Sequence, residues 1–204
     1  FEPSALLTRD FQIKDNMKLT TSAFFKYAMY SSTKLNYNGQ NPAPDYWKNF
    51  PSNNVNVWEQ DANADWTGWQ ESYDYWTASK RNRQINWDKL YYTNQQLNSI
   101  GKDAVYWVEA KHNDHMVTNL GSTFDWDINR TTKFRAGLQL ASNKGMHYTT
   151  MEDMLGAQNF HNLNTYAIGE YASSDPRVQY DLNNPNGVVR EGDRMRYDYD
   201  LWNQ

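Results

Sequence analysis

The chain has no cysteine and no long hydrophobic run. Without cysteine it forms no disulfide, binds no metal through thiolates and carries no cysteine nucleophile. The lack of any run of about 18–20 apolar residues excludes a membrane-spanning helix. A surplus of positive charge is missing too, because 20 Lys and Arg stand against 24 Asp and Glu. This balance argues against nucleic acid as a partner, since nucleic-acid binding needs a basic surface.

What the chain does contain is aromatic side chains and uncharged polar residues. Aromatic residues make up 16% of the 204 residues and charged residues only 22%, while the mean hydropathy is −0.97. So many aromatic residues argue against disorder. The low mean hydropathy does not exclude amphipathic membrane strands, whose alternating residues leave little trace in an average.

Period-two alternation predicts two long hairpins, with strand segments at about 9–30 and 104–145. One face of the first collects Leu19, Ala23, Phe25, Tyr27 and Met29, and the other collects Lys18, Thr20, Ser22 and Lys26. The segments 120–126 and 134–142 alternate in the same way. Short polar turns at 14–16 and 129–131 join the strand-like segments, which is typical of tight hairpins.

Long connections rich in Asn, Asp, Tyr and Trp are predicted at about 31–103 and 146–197. Inside the first, a helix is expected from Trp87 to about Ser99, with Asn86 as its N-cap and Gly101 just past its end. In the second, the Thr150-x-x-Asp153 spacing predicts a short helix through Leu155. Connections of this length are normally functional or disordered, and the aromatic content favours order.

Short turns at one end, long loops at the other and long two-faced strands between them are typical of a bacterial outer-membrane β-barrel. The charged residues Lys18, Lys26, Lys133 and Arg135 would then line the barrel interior. Phe11, Trp126 and Phe134 would lie at the turn-side membrane interface. The alternative is a soluble antiparallel sheet with one solvated face.

Four segments carry a resemblance to a known family: Asn41–Pro51, Gln84–Asn94, Asp181–Asn186 and Glu191–Asp200. They resemble extracellular loops of TonB-dependent outer-membrane receptors that bear a carboxypeptidase-regulatory-like N-terminal domain. The hairpins Phe11–Met29 and Thr118–Ser142 resemble barrel strands of that family. The resemblance implies an antiparallel transmembrane barrel in the bacterial outer membrane that imports a ligand using the TonB system.

The chain also departs from that family. A plug domain and a TonB box are not visible, and roughly four strand segments are recognised where the family has about 22. Asp198–Trp202 is expected to approach a further strand. We therefore expect an all-β internal fragment of the barrel, with minor helix in its loops. Its partners would be the rest of the receptor with its plug, outer-membrane lipid, and an oligosaccharide, peptide or metal-chelate ligand.

Aromatic residues of the first long connection are the candidate ligand-binding residues. Indole and phenol rings offer flat apolar faces with one polar atom, which suits sugar rings and peptides. The set comprises Tyr46, Trp47, Trp58, Trp66, Trp69, Tyr73, Tyr75 and Trp76. The alternative interpretation is that these rings pack together and order the loop.

A calcium site is a second hypothesis, because Asp61, Asn63 and Asp65 alternate like the first ligands of a calcium loop. An EF-hand is excluded, since Trp66 stands where that loop needs Gly and Ser72 where it needs Glu. The alternative is an ordinary Asx-rich turn. A metal site at His112 and His115 is not expected, because a spacing of three places them on opposite faces of a strand; a solvated loop is expected there.

Catalysis is not predicted. The sequence has no nucleophile elbow and no phosphate-binding glycine loop, and carboxylates such as Glu71, Asp74 and Glu109 form no recognisable pair. Two other functions stay open. One is a soluble secreted carbohydrate-binding β-domain that uses the same aromatic residues. The other is a secreted glycoside hydrolase, which needs two convergent carboxyl groups.

Overall fold

The computed structural model describes residues 1–55 and 64–204. Six strands and two longer helices lie in these ranges, and every strand pairing is antiparallel. The elements are β1 Ser4–Lys14, β2 Met17–Ala28, β3 Ser31–Tyr37, α1 Trp66–Ala78, α2 Trp87–Asn98, β4 Tyr106–Asp127, β5 Lys133–Asp153 and β6 Arg194–Asn203. The prediction of an all-β fold with minor helix is confirmed.

The strands form one open sheet in the order β1-β2-β4-β5-β6, with β3 also paired to β4. β2 pairs with residues 115–126 of β4 and β3 with residues 106–112, so both follow the same edge of β4. Tyr30 bridges the gap between them: its carbonyl accepts from Asn113 N (2.8 Å) and its amide donates to Asp114 Oδ1 (3.2 Å). The exceptional length of β4 therefore organises the whole sheet.

Both predicted hairpins are confirmed, and their turns lie side by side. Lys14 pairs with Met17 at the first turn, and Asp127 with Lys133 at the second. The side chain of Asn129 closes the second turn by accepting from the amides of Thr131 (2.9 Å) and Thr132 (2.8 Å). We refer to this end of the sheet as the turn-side end and to the opposite end as the loop-side end.

The turn-side half of the sheet has one apolar and one polar face, because side chains alternate along each strand. The strand registers place these residues on the apolar face, all of them half-buried or exposed: Leu7, Phe11, Leu19, Ala23, Phe25, Leu120, Phe124, Trp126, Phe134, Ala136, Leu138 and Leu140. Thr21 and Ser122 interrupt this face and hydrogen-bond to each other (3.1 Å). Arg9 lies over the ring of Phe11, 4.5 Å from its centroid.

The polar face of the same half carries ion pairs between neighbouring strands or adjoining residues. Lys18 pairs with Asp10 (2.9 Å) and Lys26 with Glu2 (2.6 Å). Lys133 pairs with Asp127 (3.1 Å), and Arg135 pairs with Asp125. The four cations predicted to share a face do so, each beside a carboxylate.

At the loop-side end, chain segments cover both faces of the sheet. Neighbouring residues Tyr106 and Trp107 of β4 are both buried, in different clusters. Tyr106 packs with Leu90 of α2 and with Leu155. Trp107 packs with Met151, Phe160 and Met195, among others. Because adjacent strand residues point to opposite faces, the two clusters lie on opposite sides of one sheet.

Asn94 of α2 connects these elements and is completely buried. Its Nδ2 donates to the carbonyls of Tyr106 (2.7 Å), Met154 (3.0 Å) and Leu155 (3.3 Å). Its Oδ1 accepts from the amides of Val105 (3.1 Å) and Tyr106 (3.3 Å). One side chain thus satisfies the backbone where β4 begins and where the chain leaves β5.

The predicted α2 is confirmed in detail. Asn86 Oδ1 accepts from Lys89 N (3.1 Å) as the N-cap, and Gly101 adopts a positive φ of 65° shortly after the helix. Such an ending favours glycine, which has no Cβ to clash. In the described part of the chain, no helix is long and apolar enough to cross a membrane.

The short helix predicted at Thr150–Leu155 is wrong. β5 continues to Asp153, because this stretch pairs with β4, and Thr149 and Thr150 also pair with β6. Thr150 Oγ1 donates to Glu152 Oε1 (2.5 Å) and caps no helix. Strand pairing on both sides outweighs a local capping signal.

The predicted boundaries of the long connections also need correction. The stretch at 31–103 includes β3 and α1, and the stretch at 146–197 includes the end of β5 and the start of β6. β1 begins at Ser4, earlier than predicted. The solvated loop expected at His112 and His115 is wrong as well, since both residues lie in β4. Their side chains face opposite sides of the sheet, as their spacing requires.

Candidate functional site

The helix α1 carries most of the candidate aromatic residues, and the sequence analysis missed it. Asp65 is its N-cap and accepts from Gly68 N (2.8 Å). Trp66, Trp69, Tyr73 and Trp76 then recur at steps of three, four and three residues. Such spacing after a capping Asp is a helix signal that could have identified α1.

Three rings form a ladder along one side of α1. Trp69 stacks on Tyr73 with centroids 5.2 Å apart and planes 7° apart. Trp66 lies 6.4 Å from Trp69. Trp66 is 66% exposed and no residue of α1 is buried. The ladder is therefore a surface feature, and its rings contact one another without forming a buried core.

The remaining candidate rings lie against the segment 41–50. Trp76 Nε1 donates to the carbonyl of Asn49 (2.6 Å), which also accepts from Ser72 Oγ (2.9 Å). Tyr75 meets Trp76 edge to face at 5.0 Å, and Tyr46 meets Trp47 at 6.0 Å. The candidate set thus divides into the ladder and a second group around Asn49. Trp58 lies outside the described residues.

A groove opens between α1, α2 and the segment 40–49. One hollow of this groove has a volume of about 220 Å³ and includes Tyr75, Trp76 and Tyr106. A neighbouring hollow of about 250 Å³ shares Tyr75 with it and adds Trp87. Between them the two hollows are lined by six side-chain amides: Gln40, Asn41, Asn49, Asn82, Gln84 and Asn86. We refer to these two hollows together as the amide groove.

The amide groove combines side-chain amides and aromatic rings with three charged residues, Arg81, Asp88 and Lys89. Each amide offers both donors and acceptors, while the rings offer apolar faces, a combination suited to hydroxyl-rich or peptide ligands. Tyr106 OH donates to the carbonyl of Gln40 (3.0 Å), and burial raises the pKa of this phenol. The sequence analysis did not predict the amides as site residues, although several lie in the loop motifs that carry the family resemblance.

The amide groove lies on the side of the sheet toward which Tyr106 points. Trp107, the next residue of β4, points the other way, toward a second pocket of about 580 Å³. There the buried carboxylate of Glu109 pairs with Arg196 Nε (3.0 Å) and accepts from Trp107 Nε1 (3.2 Å). In the sequence Glu109 is only one of many carboxylates, because its partner Arg196 lies far along the chain.

The calcium hypothesis stays a prediction. Asp61 and Asn63 lie outside the described residues, and Asp65 uses one carboxylate oxygen to cap α1. Among residues 1–55 and 64–204, no group of three or more His, Asp or Glu side chains could hold a metal ion.

The histidines of the sheet form two separate contacts. His112 stacks on Tyr148 with centroids 4.5 Å apart. On the opposite face His147 hydrogen-bonds through Nδ1 to Asn113 Oδ1 (2.8 Å) and meets His115 edge to face at 6.1 Å. The pair that the sheet brings together is thus His115 and His147, which are distant in the sequence.

Comparison of the chain with protein-family models, with curated proteins and with solved structures gives no match.

Proposed function

We propose that this chain is part of an outer-membrane TonB-dependent receptor, in which it forms barrel wall and part of the extracellular ligand vestibule. The observation that carries this proposal is the apolar face of the turn-side half. No layer formed by residues 1–55 and 64–204 covers this face, so that Leu138 is 67% exposed and Leu140 is 60% exposed. Contiguous apolar surface of this kind marks contact with a membrane or a partner.

The height of the apolar face fits a bilayer. The β2 residues on this face run from Met17 to Tyr27, a path of about 33 Å at about 3.3 Å per residue. A strand tilted by about 40°, as barrel strands are, covers about 25 Å of membrane thickness over that length. This equals the apolar band of outer-membrane barrels.

The two borders of the apolar face also suit membrane interfaces. Phe11, Trp126 and Phe134 stand near the hairpin turns, where an aromatic girdle is expected. The guanidinium of Arg9 lies over the ring of Phe11, on the side toward the turns. The methylene groups of Arg9 can then cover apolar surface. At the other border, Lys144 pairs with Asp200 (2.6 Å) and lies 4.9 Å from the ring of Trp202.

The open edges of the sheet support the same proposal. β1 and β6 are its outermost strands, and each is paired on one side only within the described residues. In lipid, unpaired backbone groups at these edges would each cost several kcal/mol, so further strands would have to pair with them. In a receptor barrel the remaining strands do so, and the ion-paired polar face lines the interior.

Ligand binding would take place at the loop-side end. The amides and rings of the amide groove suit an oligosaccharide or a peptide better than a bare metal chelate. Because the groove lies on the same side of the sheet as the apolar face, in a barrel it would open at the outer rim of the loop-side end. Energy-coupled import through a plug domain and the TonB system is implied by the family resemblance.

Two neighbouring substitutions of β5 test the proposal. Leu138→Lys puts a charge on the apolar face, and Gln139→Lys puts the same charge on the polar face one residue away. A Lys facing lipid costs about 2–4 kcal/mol near the bilayer midplane, whereas interior positions tolerate it. We expect Leu138→Lys to be depleted from the outer-membrane fraction and Gln139→Lys to be recovered at the unsubstituted level.

For each variant that assembles, urea unfolding in lipid vesicles measures the free energy of unfolding, which is compared with that of the unsubstituted protein. Equal behaviour of the two variants, in a protein that stays dispersed without detergent, would contradict the membrane proposal. That outcome would favour a soluble carbohydrate-binding β-domain built on the same groove.

A further inference from the structure

The pocket opposite the amide groove lies on the polar side of the sheet. β4 pairs with β2 and β3 without a register shift, so its odd-numbered residues from Trp107 to Asp125 share one face. Trp107, Glu109 and Lys111 therefore continue the polar face that carries the ion pairs nearer the turns. In a barrel this pocket would open toward the interior, along the path of a transported ligand.

The charge of this pocket opposes the charge of the whole chain. Lys34, Lys111 and Arg196 line it, and Glu109 is the only acidic residue among the described residues that do so. The pocket is thus locally cationic, although the chain carries a formal net charge of −4. The positive charge is therefore a local property of this pocket and does not reflect the composition of the chain.

Arg196 is held in place by an unusual backbone conformation. Its φ is 63°, a region that side chains other than Gly rarely adopt. Asn162 Oδ1 accepts from Arg196 N (2.9 Å), and the Nε of Arg196 lies 3.0 Å from Glu109 Oε2 in an ion pair. Backbone strain of this kind concentrates at functional sites. Here it fixes a guanidinium against a carboxylate that is 1% exposed.

Lys34 and Lys111 add the charge that Glu109 does not neutralise. Lys34 is directly opposite Glu109 in the β3–β4 register, and Lys111 is two residues along the same face. Diagonal neighbours of this kind lie within reach of long side chains, so their like charges repel each other. Neither lysine forms a salt bridge in the described ranges. A bound anion would relieve this repulsion.

We propose that this pocket binds an acidic saccharide, with the acid group on Lys34, Lys111 and the free end of the Arg196 guanidinium. The inference rests on the proposed function in that it names the ligand class of the vestibule. The pocket also presents the phenol ring of Tyr166 and amides from Asn36 and Asn38, which suit sugar-ring faces and hydroxyl groups. Its volume of about 580 Å³ lies in the range of small-ligand sites.

The test uses isothermal titration of the full protein in detergent with digalacturonate and with a neutral disaccharide of the same size. Charge-assisted hydrogen bonds are about twice as strong as neutral ones. We therefore expect digalacturonate to bind at least about tenfold more tightly, with an affinity that falls as salt rises. Lys34→Gln and Lys111→Gln should each lower its affinity by about three- to tenfold and leave binding of the neutral disaccharide unchanged.

Lys14→Gln is the matched control, because Lys14 ends β1 beside the turn-side hairpin. Thermal unfolding of each variant verifies that exposed Lys→Gln changes leave the fold intact. Equal binding of the two disaccharides, or a preference that survives both pocket substitutions, would overturn the proposal. Inorganic sulfate serves as a further probe: if it binds as tightly as digalacturonate, the site recognises an anion alone and the saccharide assignment fails.

Membrane assembly is independent of this titration. If Leu138→Lys fails to assemble while acidic and neutral disaccharides bind equally, the receptor proposal stands and the ligand class is wrong. If the acidic preference is present in a protein that needs no membrane, the ligand class stands and the receptor proposal fails.

Discussion

The two ends of β4 lie in opposite environments. At the loop-side end Trp107 is 1% exposed, and protein segments cover both faces of the sheet. At the turn-side end Leu120, on the same strand, is exposed, and its cross-strand partner Leu140 is exposed as well. One continuous strand thus passes from a packed protein interior to an apolar surface that the described residues leave uncovered.

This difference separates two sources of stability. At the loop-side end, apolar burial and hydrogen bonds come from the chain itself, with α2 on one face and residues near Phe160 and Val189 on the other. At the turn-side end the hydrogen bonds of the sheet are internal, but the apolar face depends on what surrounds the protein. Substitutions at the two ends should therefore respond differently to the solvent.

The largest effect is expected from Asn94→Ala. Truncation leaves three carbonyls and two amides at the loop-side end without their partner, and each buried unsatisfied group costs about 1–3 kcal/mol. We expect a loss of about 4 kcal/mol in the free energy of unfolding, measured by urea titration in detergent.

Asn98→Ala is the matched control for this change, one helical turn further along α2. Asn98 is half-buried, and among the described residues its side chain hydrogen-bonds to Gly156 O (2.9 Å) and Gln158 N (2.8 Å). Its loss should cost about 1 kcal/mol, since water can replace both bonds. Equal losses for the two variants would show that Asn94 is not the connection between α2 and the sheet.

A smaller effect is expected from Met151→Ala, which truncates a completely buried side chain of the loop-side cluster. Lost burial and the remaining cavity should cost about 3 kcal/mol. Leu140→Ala, a similar truncation at the turn-side end, should cost under about 0.5 kcal/mol in detergent, because folded and unfolded chains both expose that side chain to the micelle. Urea unfolding measures both, and a comparable loss for Leu140→Ala would break the contrast between the ends.

The smallest effect is expected in the exposed loop around Asp175. Hydrogen bonds from the side chain and backbone of Arg177 lower the pKa of Asp175 to about 2. This pKa lies below that of an unfolded Asp, which is about 3.9. The stabilising contribution of ionised Asp175 is therefore present above pH 4 and is lost as the pH falls through about 2. Amide hydrogen exchange at 171–179 should therefore accelerate between pH 4 and pH 2, after correction for the intrinsic pH dependence of exchange.

Asp175→Asn should show the faster exchange already at pH 5, without further change on acidification. The turn-side hairpins provide the internal reference for each sample. Exchange at 171–179 that stays constant down to pH 2 in the unsubstituted protein would show that the pairing of Asp175 with Arg177 does not order this loop.

Elements whose structure follows from a local pattern are predictable from the sequence. Alternation predicted both hairpins, and the capping residue Asn86 predicted α2, because these signals lie within one element. Local pattern failed at Thr150–Leu155, where pairing with β4 and β6 outweighs a capping pattern. It missed β3, whose strand character depends on its position beside β4.

The candidate site shows the same division. The aromatic residues were recognisable by type, but only the fold separates them into a ladder on α1 and a group around Asn49. The amide groove joins residues from three segments. Glu109 pairs with Arg196, a residue of β6 whose positive φ no local sequence pattern indicates.

By itself, the sequence determined the period-two strands, the two short turns, the α2 helix and the sharing of one sheet face by four cations. Each of these depends on neighbouring residues and on the alternation of side chains along a strand. The tertiary structure alone decided the strand order and the contrast between the covered and uncovered ends of β4. It also placed the amide groove and the pocket of Lys34, Lys111 and Arg196 on opposite sides of the sheet. These depend on contacts between distant residues, whose geometry is set by how the sheet pairs and what packs against it.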